Sequence, residues 1–133
     1  MKKMLFVASL LFALLILTGC SGKTYEFKKP VDEIESIQIV WAENSRDFTV
    51  TKTLSESETD DFLEQFQTLK FVSCIIGDPS TVHGNSVRIL YRNGDYEMIC
   101  YYWAEYVKDG KVYPIRKSCN EEEFNKLLNT FLE

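Results

Sequence analysis

The sequence is short of the side chains that most chemistry needs. It holds one histidine, His83, in 133 residues, so it offers no His-rich metal site and no histidine relay. Four cysteines occur, none spaced CxxC, which leaves no sequence basis for a zinc site or a dithiol redox motif. Three prolines and six glycines are too few for a collagen-like or low-complexity chain. There is no Gly-rich phosphate loop, no EF-hand loop and no nucleic-acid-reading signature. Positive charge is also scarce. Fifteen Lys and Arg stand against 20 Asp and Glu, a net charge of −5. That sign argues against a nucleic-acid partner, and against a domain that lies flat on anionic lipid through basic patches. No cofactor and no metal is expected.

What is present is an aromatic content of 14% with ordinary charge, the composition of a globular domain rather than a disordered one. Residues 34–41 and 48–54 alternate as strands, with Ile37, Ile39 and Trp41 on one face of the first. Glu43-Asn44-Ser45-Arg46-Asp47 between them is turn chemistry. Ser55 and Glu58 form a capping box ahead of Phe62, Leu63, Phe66 and Leu69, which predicts a helix over residues 56–69. Residues 71–76, 86–92, 95–107 and 111–117 read as strands. Asn93-Gly94 and Asp109-Gly110 are the hairpin signals between the last three. Asn120 caps a final helix whose stripe is Phe124, Leu127, Leu128 and Phe131. The order is ββαββββα, an α+β domain with a single antiparallel sheet and two amphipathic helices on one face. After its first strand this order resembles the β-α-β4-α order of TATA-binding-protein-like folds. The likeness is one of topology and carries no DNA-binding residues.

A two-residue turn at Asn93-Gly94 sets the register: Tyr91 faces Tyr96, Ile89 faces Met98 and Val87 faces Cys100. Val87, Ile89, Met98 and Cys100 then form the face for the helices. Arg88, Leu90, Glu97, Ile99, Tyr101 and Trp103 form the other. A two-residue turn at Asp109-Gly110 places Arg116 opposite Trp103, where the guanidinium can stack on the indole. If two helices cover only one face, then Arg88, Leu90, Ile99, Tyr101, Trp103 and Arg116 compose an open surface of interface-like character. The competing expectation is a structural surface covered by the first hairpin. The same register opposes Cys100 to Cys119, close enough for a cross-strand disulfide, whereas a bulged turn opposes Cys100 to Ser118 instead. Buried thiols acting as small hydrophobes are the alternative.

The N-terminus carries the clearest signal. Lys2 and Lys3 precede an apolar run over residues 4–17, too short to span a bilayer comfortably, and the run ends in Leu17-Thr18-Gly19-Cys20. All four positions match the lipobox of bacterial lipoproteins, which this segment resembles. The resemblance covers the first 20 residues. It implies a signal peptide over 1–19, diacylglycerol on the Cys20 thiol, and attachment to the membrane on the extracytoplasmic side of a bacterial envelope. Removal of 1–19 takes away Lys2 and Lys3 and no acid, moving the net charge from −5 to −7. Residues 20–33 read as a lipidated tether, whose polar stretch over 21–30 reaches roughly 30 Å if extended. Residues 34–133 read as one domain.

Candidate chemistry is thin. Asp78, Ser80 and His83 share the 77–85 loop, yet no nucleophile-elbow sequence surrounds Ser80, and loop Ser and Asp ordinarily make turns. Acids at both helix starts are explained by the helix dipole. The expectation is a small membrane-anchored surface lipoprotein with a non-enzymatic domain that binds a protein or envelope ligand, in the manner of an inhibitor or immunity protein. The alternatives are a small-molecule or enzymatic domain with a pocket near the 77–85 loop, including Asp78 and His83, or a passive envelope component.

Overall fold

A computed structural model of the chain describes residues 22–73 and 81–133. After an extended N-terminal segment and a short 3-10 turn (Val31–Glu33), the elements follow in the order β1 (Ile34–Asn44), β2 (Asp47–Thr53), α1 (Glu56–Phe66), β3 (Val72–Ser73), β4 (Gly84–Tyr91), β5 (Tyr96–Ile99), β6 (Ala104–Lys108), β7 (Lys111–Ile115), β8 (Lys117–Ser118) and α2 (Glu121–Leu132). Six strands form one antiparallel sheet in the order β2-β1-β4-β5-β6-β7, and β3 pairs with β8 in a separate ribbon. The class is α+β, mostly sheet, with both helices on one face.

Both caps form as their residues dictate. Ser55 Oγ accepts the Glu58 amide at 3.2 Å, and Glu58 Oε1 accepts the Ser55 amide at 3.1 Å. Asn120 Oδ1 accepts the Glu123 amide at 2.9 Å. The stripes Phe62, Leu63, Phe66 and Phe124, Leu127, Leu128, Phe131 are buried against Ile37, Ile39, Val87, Ile89 and Ile99 of the sheet.

Of the two Xaa-Gly turns, Asn93-Gly94 departs from the two-residue geometry expected of it and Asp109-Gly110 keeps it. At Asn93-Gly94 only the glycine has a positive φ, 95°. The Gly94 amide donates to Tyr91 O at 3.0 Å, and the Tyr91 amide donates to Asp95 O at 2.9 Å. These bonds define a three-residue loop with a bulged glycine. Asn93 favours it: its Oδ1 accepts the Asp95 amide and its Nδ2 donates to Asp95 Oδ2, both at 3.0 Å. The register is therefore Val87↔Ile99, Arg88↔Met98 and Ile89↔Glu97, one residue from the expected one. A one-residue slip reverses every side chain of the incoming strand. Glu97 and Ile99 turn to the helix side, while Met98 and Cys100 turn away from it. Asp109-Gly110 is the two-residue turn, with both residues at positive φ (52° and 75°) and Lys108 facing Lys111.

Two further expectations change. The long strand over 95–107 is a hairpin that turns at Tyr101-Tyr102, where the Cys100 amide donates to Trp103 O at 2.9 Å and Ile99 faces Ala104. Of the strand over 71–76, Phe71 bridges to Lys23 and β3 joins the ribbon; residues 74–76 lie outside the described residues.

The second face of the sheet is covered as well. It carries a smaller core of Val40, Ala42, Val82, Met98, Cys100 and Trp103. The first half of β1 buries Ile37 and Ile39 toward the helices, and the second half buries Val40 and Ala42 into this other core. The tip of the first hairpin reaches across: Arg46 donates to Gly110 O at 3.2 Å, and the Tyr96 hydroxyl donates to Ser45 O at 2.7 Å. Between them the Arg88 guanidinium lies 4.9 Å from the Phe48 ring centre and 4.3 Å from that of Tyr96. Among the described residues no helix is long and apolar enough to cross a membrane.

Removing a ring from the larger core tests this packing. Phe66→Ala and Phe124→Ala should each cost about 3–5 kcal/mol, read as a lowered denaturant midpoint. An unmoved midpoint would mean that the helices do not pack on the sheet.

Candidate functional site

The residues that share buried charge and proximity to the N-terminus lie along the segment expected to be a tether. From Gly22 onward it is not one. Gly22 has φ +88°, and a Cβ there would sit 2.7 Å from Phe71 O, so only glycine fits the conformation and the approach. The Lys23 amide donates to Phe71 O at 2.8 Å, and the Phe71 amide returns a bond to Lys23 O at 2.7 Å. Tyr25 then enters the main core at 5% exposure. Its ring meets those of Phe27, Phe66 and Phe71 edge-on at 5.3, 5.6 and 5.1 Å. The alternation of Tyr25 and Phe27 is what a half-buried strand requires; Lys23, Lys28 and Lys29 around it give the segment the look of a solvated tether.

This strap is clasped by Glu97, which is fully buried in β5. Its Oε1 accepts the Tyr25 hydroxyl at 2.7 Å, and its Oε2 accepts the Lys28 amide at 3.0 Å and the Tyr91 hydroxyl. Among the described residues no lysine or arginine forms an ion pair with it; its oxygens are met by three hydrogen-bond donors instead. Burial, reinforced by Glu97, pushes the Tyr25 and Tyr91 phenols well above their ordinary range, so both remain donors. A second carboxylate, Asp95, accepts the Tyr106 hydroxyl at 2.5 Å and has Lys29 Nζ 3.9 Å away. The bond from Tyr106 holds the Asp95 carboxyl below its usual value.

The expected aromatic face does not assemble. Ile99 is fully buried on the helix side, and Tyr101 packs against the same core from the turn. Arg88 and Leu90 are half-buried on the second face. Trp103 lies in the second core at 4% exposure. Arg116 does sit over the Trp103 ring, 5.8 Å from its centre, as the register of the Asp109-Gly110 hairpin predicts. The covered state of this face follows from the turn geometry at Asn93-Gly94 and from the curl of the first hairpin, neither of which alternation alone reveals.

His83 is exposed just before β4. Its Nδ1 lies 3.4 Å from Glu43 O, and its ring meets Trp41 at 5.9 Å. Asp78, Ser80, Cys74 and the lipobox residues through Cys20 lie outside the described residues. Cys100 and Cys119 are free thiols. The turn at Tyr101-Tyr102 puts Cys100 opposite Trp103 rather than Cys119. Cys100 belongs to the second core, and Cys119 packs against the first. Burial raises the Cys100 thiol and pushes Cys119 up to about 12. Among the described residues no three His, Cys, Asp or Glu side chains gather as a metal ion would require.

The chain matches no protein-family model, and no curated protein or solved structure is significantly similar to it.

Two outcomes test this site. Tyr25→Phe removes one donor from a buried carboxylate and should cost about 1.5–3 kcal/mol. The sign of the Tyr25 shift also sets a pH window. Folding favours the protonated phenol, so this contribution is complete below the ordinary phenol value of 10.0 and is lost as pH rises toward the higher value in the folded protein. Denaturant titrations of the wild type and Tyr25→Phe should converge only in strong alkali; equal midpoints at neutral pH would refute the clasp. Separately, Cys100 and Cys119 should alkylate far more slowly at pH 8 than in the unfolded chain, read by peptide mass mapping. Labelling at the unfolded rate would show that these thiols are not buried.

Proposed function

We propose that this protein is a bacterial envelope lipoprotein, anchored through diacylglycerol on Cys20, whose domain binds a protein or envelope ligand and performs no catalysis. The observation that carries the reading is the lipobox, which would make Cys20 the mature N-terminus two residues before Gly22, whose backbone packs against Phe71. Two residues span at most about 7 Å, so a lipidated Cys20 leaves almost no slack between bilayer and domain.

The non-catalytic part of the reading rests on His83 being an exposed side chain whose neighbours among the described residues are the Trp41 ring, the Glu43 carbonyl and, at 3.9 Å, the Glu43 carboxylate. With Trp103 in the core, the large aromatic side chains exposed for a partner among the described residues are Trp41, on the outer hairpin beside His83, and Tyr113 on β7, each 46% exposed.

The direct test is the mass of the mature chain extracted from membranes. An N-terminal Cys20 carrying diacylglycerol is expected, and Cys20→Ala should abolish both the modification and the cleavage before residue 20. An unmodified mature N-terminus in the wild type would refute the anchor.

A further inference from the structure

Beside Lys23 the strap borders a groove of about 340 Å³. Three lysines line it: Lys23 and Lys28 from the strap and Lys117 from β8, with one acid, Glu26. Lys117 Nζ is held at the rim by a 3.1 Å bond to Ser73 Oγ. Phe27, Phe71 and Ile115 supply an apolar wall. The adjoining Val72, 47% exposed, adds an apolar side chain outside the groove. The whole mature chain carries a charge of −7, yet the groove carries two more cations than anions. Opposing charges beyond about 8 Å are largely screened at physiological salt, so the local surplus decides what enters. The nearest acidic run in sequence, residues 121–123, opens α2, and its Glu123 lines a different hollow with Lys126.

Position along the chain selects the ligand. Lys23 follows Cys20 by three residues, so it lies within about 10 Å of the anchoring position. A phosphate diester carries a single negative charge and takes hydrogen bonds from ammonium groups. In an anionic phospholipid that phosphate adjoins apolar glycerol and acyl carbons, which match the Phe27 and Ile115 wall. We propose that this groove takes the phosphate of an anionic phospholipid headgroup, and that the bound lipid, with the anchor on Cys20, holds the β3–β8 ribbon against the bilayer. The inference rests on the lipidation proposed above. It also revises the expectation drawn from net charge: the domain as a whole is acidic, but the end nearest the anchor offers a basic seat for one headgroup.

The test uses the mature lipidated protein in phosphatidylcholine vesicles with and without phosphatidylglycerol. Its intact mass is read first. Tryptophan reporters are placed at the ribbon (Val72→Trp) and on β7 (Lys111→Trp), about 20 Å further along the strand direction, each in a Trp41→Phe background. Lipids carrying a headgroup nitroxide quench whichever reporter lies at the surface. Quenching of the ribbon reporter should exceed that of the β7 reporter, and the excess should rise several-fold when phosphatidylglycerol is present. Lys23→Glu with Lys117→Glu should reduce it to the phosphatidylcholine level without changing the lipid mass. Lys28→Gln, which leaves the Lys28 amide bond to Glu97 in place, should reduce it in part and guards against a folding defect in the double variant. Equal quenching of the two reporters, or quenching indifferent to phosphatidylglycerol or to these substitutions, in protein of the correct lipidated mass would overturn the groove proposal and leave the anchor standing. Reversal by millimolar inorganic phosphate would assign the groove to free phosphate and overturn the lipid. A mass without diacylglycerol would overturn the anchor and this inference together.

Discussion

A carboxylate with no cation beside it ties the N-terminal strap to the middle of the sheet. Glu97 is fully buried, and a carboxyl group in that position is tolerable only because the Tyr25 and Tyr91 hydroxyls and the Lys28 amide converge on it. Two of those three donors come from the strap, so the same interaction that satisfies the buried carboxyl group fixes residues 25–28 in place. The aromatic contacts of Tyr25 and Phe27 with Phe66 then carry the strap into contact with α1. Lose the donors and a buried polar group is stranded; lose the Glu97 side chain and the strap keeps only its ring contacts and the bridge at Phe71.

That arrangement depends on a turn. Had Asn93-Gly94 formed the two-residue hairpin, Glu97 would face away from the helices and Tyr25 would have nothing to donate to. The bulged loop, held by Asn93 and Asp95, moves the register by one and delivers both Glu97 and Ile99 to the helix side. The same slip sends Met98 and Cys100 to the second face, where they meet Val40, Ala42 and Trp103 beneath the curl of the first hairpin. One local choice of loop thus sets the contents of both cores.

The legible parts of the sequence were those governed by local rules. Both helix starts, their stripes and the first hairpin follow from Ser55, Asn120, the spaced Phe residues and the polar run at 43–47. The Arg116–Trp103 contact follows from the Asp109-Gly110 turn. The register of β5 was not legible, because Xaa-Gly permits two loop lengths and the deciding bonds from Asn93 to Asp95 are as compatible with the sequence as their absence. The break at Tyr101-Tyr102 was hidden because aromatic residues read as strand formers, and two of them without glycine carry no turn signal. The strap was hidden because its apolar positions are separated by lysines whose ammonium groups reach solvent. The candidate site suffered most. An expected open aromatic face became a core, and the charged groups that matter sit on a segment with the composition of a linker.

Under the proposed anchor at Cys20, the docking of Gly22 and Lys23 against Phe71 would set the orientation of the domain relative to that anchor. Everything therefore rests on whether residues 23–28 are as firmly held as the sheet. Native-state hydrogen exchange at the amides of Lys23, Lys28 and Phe71 measures this directly. The account predicts that they exchange in the same slow class as the amides of Val87 and Ile99. Exchange of the Lys23 and Lys28 amides at unfolded-chain rates while those strand amides stay protected would contradict it.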